Sequence, residues 1–449
     1  MRVWRFLLYF TALAAPAVCA DLLISHVTVI DVITGAELPR QNILIHNGVI
    51  RAVGHQVVAP KAAILINGAG KFAIPGLWDM HVHLWYREHQ FPLYLANGVT
   101  GVRDMGSDLN WLNQWRDQIK AGKLLGPRIQ TCGPSVDGEA SMDPKMPVLV
   151  VRRPEEARAT FDRLEDLDAD FVRIMPHLPR DAYFALIERA RKYYKPVAGY
   201  LPDSISMLEA IDARQKSVEH MSGLLLACSK QEDRLRRRLI LAAEKHDIPA
   251  YLDLQQQVLD SFDVKKADYL FRRMAQFDQR AVPALTQLRR ETFQDAGQWA
   301  ADPRLHTVSL AIRKTWPDPQ ELRKQISNEA LTLAKAQDEK LRTLIPLMQR
   351  AGVMILAGTG TGDPYTSPGS ELHRELELLV EAGLSPLEAL RSATLEPARF
   401  LGFENSTGSL SPGKVADLVL LNADPLKDIR NSRKIAAVIL DGHYLPKRP

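Results

Sequence analysis

The 449-residue chain is 46% hydrophobic and 24% charged, with 57 basic against 53 acidic side chains. That balance excludes a disordered, collagen-like or coiled-coil protein and leaves one or two domains able to bury a substantial core. A formal charge of +4 is too dilute for a nucleic-acid footprint, and three cysteines cannot build a disulfide framework.

Residues 1–20 read as a leader. Arg2 and Arg5 precede an apolar run from Phe6 to Ala15, then Pro16 and the small-residue tail Ala17-Val18-Cys19-Ala20. This is the pattern of a secretory signal peptide. The run is too short to span roughly 30 Å of hydrocarbon, so an exported protein with no membrane segment after cleavage is expected. Val18 argues against a lipid on Cys19. Cys132 and Cys228 then remain, with their pairing open.

Residues 21–74 carry short strand signals. Leu22–Ile24 and Val27–Ile30 are β-rich, and Asn47-Gly48 between Ile43–Ile45 and Val49-Ile50 is a hairpin turn signal. Over 75–400, short apolar strands alternate with helical stretches, the pattern of parallel βα units. Strands are expected near 78–84, 99–105, 128–134, 171–175, 196–200, 216–220, 281–287 and 352–359, which suits a closed (β/α)₈ barrel. The long charged stretch 223–280 reads as helical, with Arg234-Leu235-Arg236-Arg237-Arg238 as an exposed face. Leu372, Leu376, Leu379 and Val380 repeat at helical spacing before Gly383, and Ser385-Pro386-Leu387-Glu388 is a capping box. Residues 401–449 return to strands at 418–421 and 438–440. The expected fold is therefore α/β, a barrel over 75–400 plus one small β domain built from both ends, 21–74 and 401–449.

The chemistry begins at Asp79-Met80-His81-Val82-His83. On a strand, residues two apart point to the same side, so His81 and His83 project together, a spacing that suits a zinc-like ion. The run Ile74-Pro75-Gly76-Leu77-Trp78-Asp79-Met80-His81-Val82-His83 resembles the first-strand signature of the amidohydrolase superfamily. The resemblance continues through Gly98–Asp104, Ser217-Val218-Glu219-His220, Glu371–Leu379, Ala389–Thr394 and Gly413–Leu418. It is nearest to the imidazolonepropionase and Xaa-Pro dipeptidase-like branch. It implies a (β/α)₈ barrel with a β-sandwich composed of both termini.

The resemblance also implies a two-metal site of six ligand positions. His81, His83 and His220 match it. Arg173 stands where a carboxylated lysine belongs, Tyr200 replaces a histidine, and Gly360 replaces the aspartate that is both ligand and general base. Arginine stays protonated and cannot become the bridging carbamate. At about 5 Å and an effective dielectric of about 20, its repulsion from a divalent ion is roughly 6 kcal/mol. At most one ion, zinc or a similar divalent metal held by His81, His83 and His220, is expected.

Other groups stand in for the missing ones. Asp363, three residues past Gly360, is a candidate base, and His177 a candidate proton carrier. Tyr200 is a candidate ligand or hydrogen-bond donor. Arg173 is a candidate grip for a substrate carboxylate, or pairs with a neighbouring acid such as Glu219. Asp104 and His373 match family positions as structural residues, and Glu139 reads as solvated. Two functions follow: an exported hydrolase of an amide or other C–N bond in a small molecule, or an inactive barrel that binds a small ligand or partner. A metal-independent acid/base enzyme using Arg173 and Tyr200 is a third. A homo-oligomer is compatible with the sequence.

Overall fold

The computed structural model describes residues 21–139, 146–293, 299 and 301–447; the leader expected over 1–20 lies outside them. The N-terminal strands are β1 (Leu22–Ile30), β2 (Glu37–His46), β3 (Val49–Gly54), β4 (Ile64–Asn67) and β5 (Phe72–Pro75). The central strands are β6 (Leu77–Val82), β7 (Val99–Asp104), β8 (Arg128–Thr131), β9 (Ser135–Asp137), β10 (Val148–Val150), β11 (Val172–Ile174), β12 (Val197–Gly199), β13 (Ser217–Glu219) and β14 (Arg280–Val282). The C-terminal strands are β15 (Leu418–Leu421), β16 (Ile435–Leu440) and β17 (His443–Pro446).

Both chain ends meet in one sheet, in the order β17-β16-β15-β5-β1-β2-β3, with β4 on β1. The seam is the antiparallel pairing of β5 with β15, from Pro75 opposite Leu418 to Phe72 opposite Leu421. It holds because Ile24, Val27, Ile43, Ile45, Leu418, Leu420 and Ile439 share one buried cluster. The Asn47-Gly48 signal is realised: both residues have positive φ, 49° and 76°, between paired β2 and β3.

The central strands run parallel, as β6-β7-β8 and as β10-β9-β11-β12-β13-β14. A backbone bond from Asp170 N to Thr131 O (2.8 Å) links the two groups. Residues 352–361 lie between β14 and β6, through the bridges Ala281–Ile355 and Val82–Thr361. The strand expected at 352–359 is reduced to the isolated bridge at Ile355, and just beyond it Gly360 (φ 68°) and Gly362 (φ 121°) leave the extended region. The strand expected at 281–287 likewise stops at Val282. Ala284 turns left-handed (φ 51°) and a helix starts at Leu285, its first amides bonded by the Glu375 carboxylate at 2.9 and 2.8 Å.

The stretch 223–280 is helical as expected, in the segments Leu224–Ala227, Glu232–Glu244, Ile248–Asp260 and Val264–Gln276. One arginine of its charged run is not on the exposed face: Arg236 pairs with Glu232 at 2.7 Å and donates to the Asp203 and Ile205 carbonyls. Helix Ser370–Glu381 buries Leu372, Leu376 and Leu379, and the Ser385–Glu388 capping box opens the next helix. No helix of the described residues is long and apolar enough to cross a membrane. Cys132 and Cys228 are both free and buried.

His373 ties helix Ser370–Glu381 to its surroundings, with Nδ1 2.9 Å from Ser432 Oγ and Nε2 3.1 Å from the Asn97 carbonyl. Burial first, then the charges of Arg433 and Lys447, push its pKa from 6.5 down to about 4. The folded state thus resists a proton that the unfolded chain accepts, so stability is whole above pH 6.5 and falls as pH drops toward 4. The loss is on the order of 3 kcal/mol. His373→Gln should flatten the dependence of melting temperature on pH between those limits; an unchanged slope contradicts this role.

Candidate functional site

The site forms where the parallel strands end. β6 carries His81 and delivers His83 just beyond Val82; β11 carries Arg173; Tyr200 and His220 follow β12 and β13 directly. His220 and Met221 have φ of 56° and 51°, a conformation that costs on the order of 1–3 kcal/mol in a non-glycine residue and concentrates at functional sites.

His81 is anchored by a buried carboxylate. Its Nδ1 lies 2.8 Å from Glu219 Oε2, while Glu219 Oε1 accepts from Arg103 Nη2 and Ser217 Oγ, each at 2.7 Å. The carboxylate accepts the Nδ1–H hydrogen bond and holds the proton on Nδ1, so the lone pair sits on Nε2, which is buried without a hydrogen-bond partner. The His220 ring lies 4.6 Å from His81, centroid to centroid, and neither of its nitrogens has a partner. His83 stands 5.7 Å from His81, stacks on Trp85 and directs Nδ1 toward the Gly106 carbonyl at 3.4 Å. Burial above all, with the positive charge of Arg173 contributing in each case, holds all three imidazoles far below their ordinary pKa and therefore neutral.

Below His81, Asp79 accepts from Thr359 Oγ1 (2.7 Å) and Thr359 N (3.1 Å). Burial raises its pKa to about 8. Asp104 is equally enclosed and accepts from Ser107, Thr131 and the Leu84 amide, which makes it a scaffold for the turn after β7.

Arg173 does not pair with Glu219. That carboxylate is already taken by Arg103 and His81. Arg173 is 2% exposed, its Nη1 donates to the Met105 carbonyl, its Nε has no partner, and no carboxylate among the described residues forms an ion pair with it. Its guanidinium lies 5.8 Å from the centre of the Tyr200 ring, which in turn lies 5.1 Å from His220. Burial keeps the Tyr200 phenol protonated. An unpaired buried cation is costly unless something supplies the opposite charge.

The remaining candidates lie farther out. His177 is half exposed and sits 3.3 Å from Asp137 and 3.9 Å from Glu139, so Glu139 has an imidazole neighbour as well as solvent. His177 lines a cavity of about 530 Å³ together with Tyr200 and His220. Leu201, Leu224, Leu225, Leu239 and Val258 form its apolar walls. Asp363 is half-buried in the segment after Gly360, and its charge acts on Tyr200. His81, His220, Tyr200 and Arg173 are thus brought together, His83 stands beside them, and His177 and Asp363 approach from the rim.

Sequence reasoning named Glu219 only as a partner for Arg173 and missed its bond to His81, and it did not find Ser135 or Gln287. Glu219 was legible: Ser217 and Glu219 share one strand face, next to His220. Ser135 and Gln287 carried no signal, because their neighbours are remote in sequence. Gln287 matters most at position 360. A Cβ on Gly360 would stand 2.2 Å from Gln287 Oε1, and the backbone there is left-handed. Any side chain at position 360 would therefore require Gln287 to shift.

Position 173, where the resemblance places a bridging carbamate, carries a permanent cation, and Gln287 crowds position 360, where it places an aspartate; these residues do not offer the donors of a paired-ion centre. One ion fits the donor chemistry of His81 and His220, whose neutral, unpartnered nitrogens are available ligands. Among the described residues, however, no group of three or more His, Cys, Asp or Glu side chains is gathered to hold a metal.

The model of the Amidohydrolase family matches residues 307–445. An adenine deaminase of Clostridium botulinum (strain Loch Maree / Type A3) is 38% identical over 68 residues, 15% of this chain and 10% of the deaminase. The ochratoxinase of Aspergillus niger is 37% identical over 91 residues, 20% of this chain and 18% of that protein. Both matches thus span under a fifth of the relative's length. A solved structure from Bifidobacterium longum is 25% identical and superposes with a TM-score of 0.70, covering 96% of this chain and 97% of that one. Together these similarities support membership of the amidohydrolase superfamily.

Glu219 neutralises Arg103 and orients His81 at once, so Glu219→Gln should lower stability by about 3 kcal/mol or more. The urea midpoint should fall at constant slope; an unchanged midpoint contradicts the buried pair.

Proposed function

We propose that this chain is an exported amidohydrolase-type hydrolase that opens an amide or other C–N bond of a small molecule, with at most one zinc-like ion. The observation that carries the reading is the pair of neutral, buried imidazoles, His81 and His220, with unpartnered nitrogens at the strand ends. The family match and the names of the partial relatives support the reaction class. The fold we infer is a closed (β/α)₈ barrel over 75–400, flanked by a β-sandwich built from 21–74 and 401–449; the bridges from 352–361 to both neighbouring strands support closure.

His81 and His220, with His83 beside them, would hold the ion, which would supply an acidified water and a polarised carbonyl. The chain's own groups do the rest. Glu219 keeps the His81 proton on Nδ1 and so fixes the Nε2 lone pair toward the site. Tyr200, protonated, donates to a substrate oxygen. His177, held by Asp137 at the cavity rim, and Asp363, beyond Gly360, carry protons in place of the absent aspartate.

A second reading, a ligand-binding barrel without turnover, is favoured by Gln287 standing where the general base would be. Elemental analysis of protein purified without chelator and supplemented with zinc separates the two. About one equivalent of zinc is expected, lost in both His81→Ala and His220→Ala. Absence of bound metal after supplementation contradicts the hydrolase reading and leaves the binding one.

A further inference from the structure

Two enclosed donor groups near the candidate ion site are incompletely satisfied: Arg173 Nη1 donates to the Met105 carbonyl, but Arg173 Nε and Ser135 Oγ have no hydrogen-bond partner. Arg173 is a buried cation with no ion pair among the described residues, and Ser135 Oγ is buried without a hydrogen bond. They converge over Gly106. A Cβ built there would stand 3.3 Å from Ser135 Oγ and 3.4 Å from Arg173 Nη1. The side chain is missing there, at a φ of 140° that favours glycine, and Met146, whose Cγ would stand 3.5 Å from the same Cβ, bounds the approach. A guanidinium fork beside a hydroxyl is the donor set of an oxyanion subsite.

One aromatic ring away, the character of the surface changes. Tyr200 stands between Arg173 and the cavity of about 530 Å³. Beyond it the walls are leucines contributed by the 223–280 helices, a volume and lining suited to an apolar body. A single ligand with a charged head and an apolar body satisfies both halves: its carboxylate compensates the buried cation, and its body removes apolar wall from water.

We propose that Arg173 and Ser135 form a carboxylate subsite and that the adjoining cavity takes the apolar body of the same ligand, so the site receives small monocarboxylates bearing a bulky apolar group. The proposal deepens the hydrolase reading by naming its substrate class and rests on that reading for turnover; binding stands apart from it.

The test is calorimetric titration of the full mature chain, freed of metal with chelator, using 4-phenylbutyrate and its uncharged analogue 4-phenylbutyramide. Without metal, coordination of the carboxylate to an ion cannot mimic the subsite. Phenylbutyrate should bind about tenfold more tightly than the amide. Arg173→Gln should abolish that preference. Ser135→Ala, a milder change, should reduce it several-fold while the amide binds as before. Leu225→Asp should weaken both probes together. Equal binding of the two probes, no binding of phenylbutyrate, or a preference that survives Arg173→Gln overturns the proposal. Binding that follows the expected pattern in a protein that takes up no zinc would sink the hydrolase reading and leave this one intact.

Discussion

An arginine buried with no carboxylate partner among the described residues sets the electrostatics of this site. Arg173 occupies the end of β11, donates to a backbone carbonyl and lies near the Tyr200 ring, but no acidic side chain among the described residues closes its charge. Each imidazole around it is kept neutral partly by that field. Coulomb repulsion from a permanent cation and the absence of a bridging anion act together, and both work against two neighbouring metal ions. The same charge favours any ligand that brings a negative group into the enclosure.

The rest of the site has adjusted to that change rather than merely lost parts. Arg103 supplies the counter-charge for Glu219, so the carboxylate that orients His81 is itself fully engaged. Gln287 fills the space beside Gly360, so Gly360→Asp alone would meet a side chain and a left-handed backbone at once. Restoring the six-ligand pattern through Arg173→Lys, Tyr200→His and Gly360→Asp would therefore also require Gln287 to move. His220 keeps its strained backbone, and its nitrogens remain without partners. A site that retains strain and unsatisfied donors is built to receive something.

Much of this was legible in the chain. The hairpin at Asn47-Gly48, the helix with Leu372, Leu376 and Leu379, the Ser385 capping box and the meeting of both ends in one sheet all follow from local pattern and apolar burial. The strand ends were less legible. Ala284 turns left-handed inside the run 281–287 that local pattern reads as one continuous strand, and 352–359 forms a single bridge where a strand is expected. The histidines could be found from spacing and resemblance, but the fate of Arg173 could not. Its expected partner, Glu219, was already committed to Arg103, a residue 116 positions away. Likewise, Ser135 and Gln287 are ordinary polar residues in sequence and gain meaning only from what stands opposite them in space.

The most direct test of the central constraint is a crystal structure of the full chain grown in excess zinc, with anomalous scattering recorded at the zinc edge. A single peak beside His81 and His220, or none, with the Arg173 guanidinium in place, is the predicted result. Two peaks about 3.5–4 Å apart, sharing any bridging ligand at the end of β11, would contradict the account.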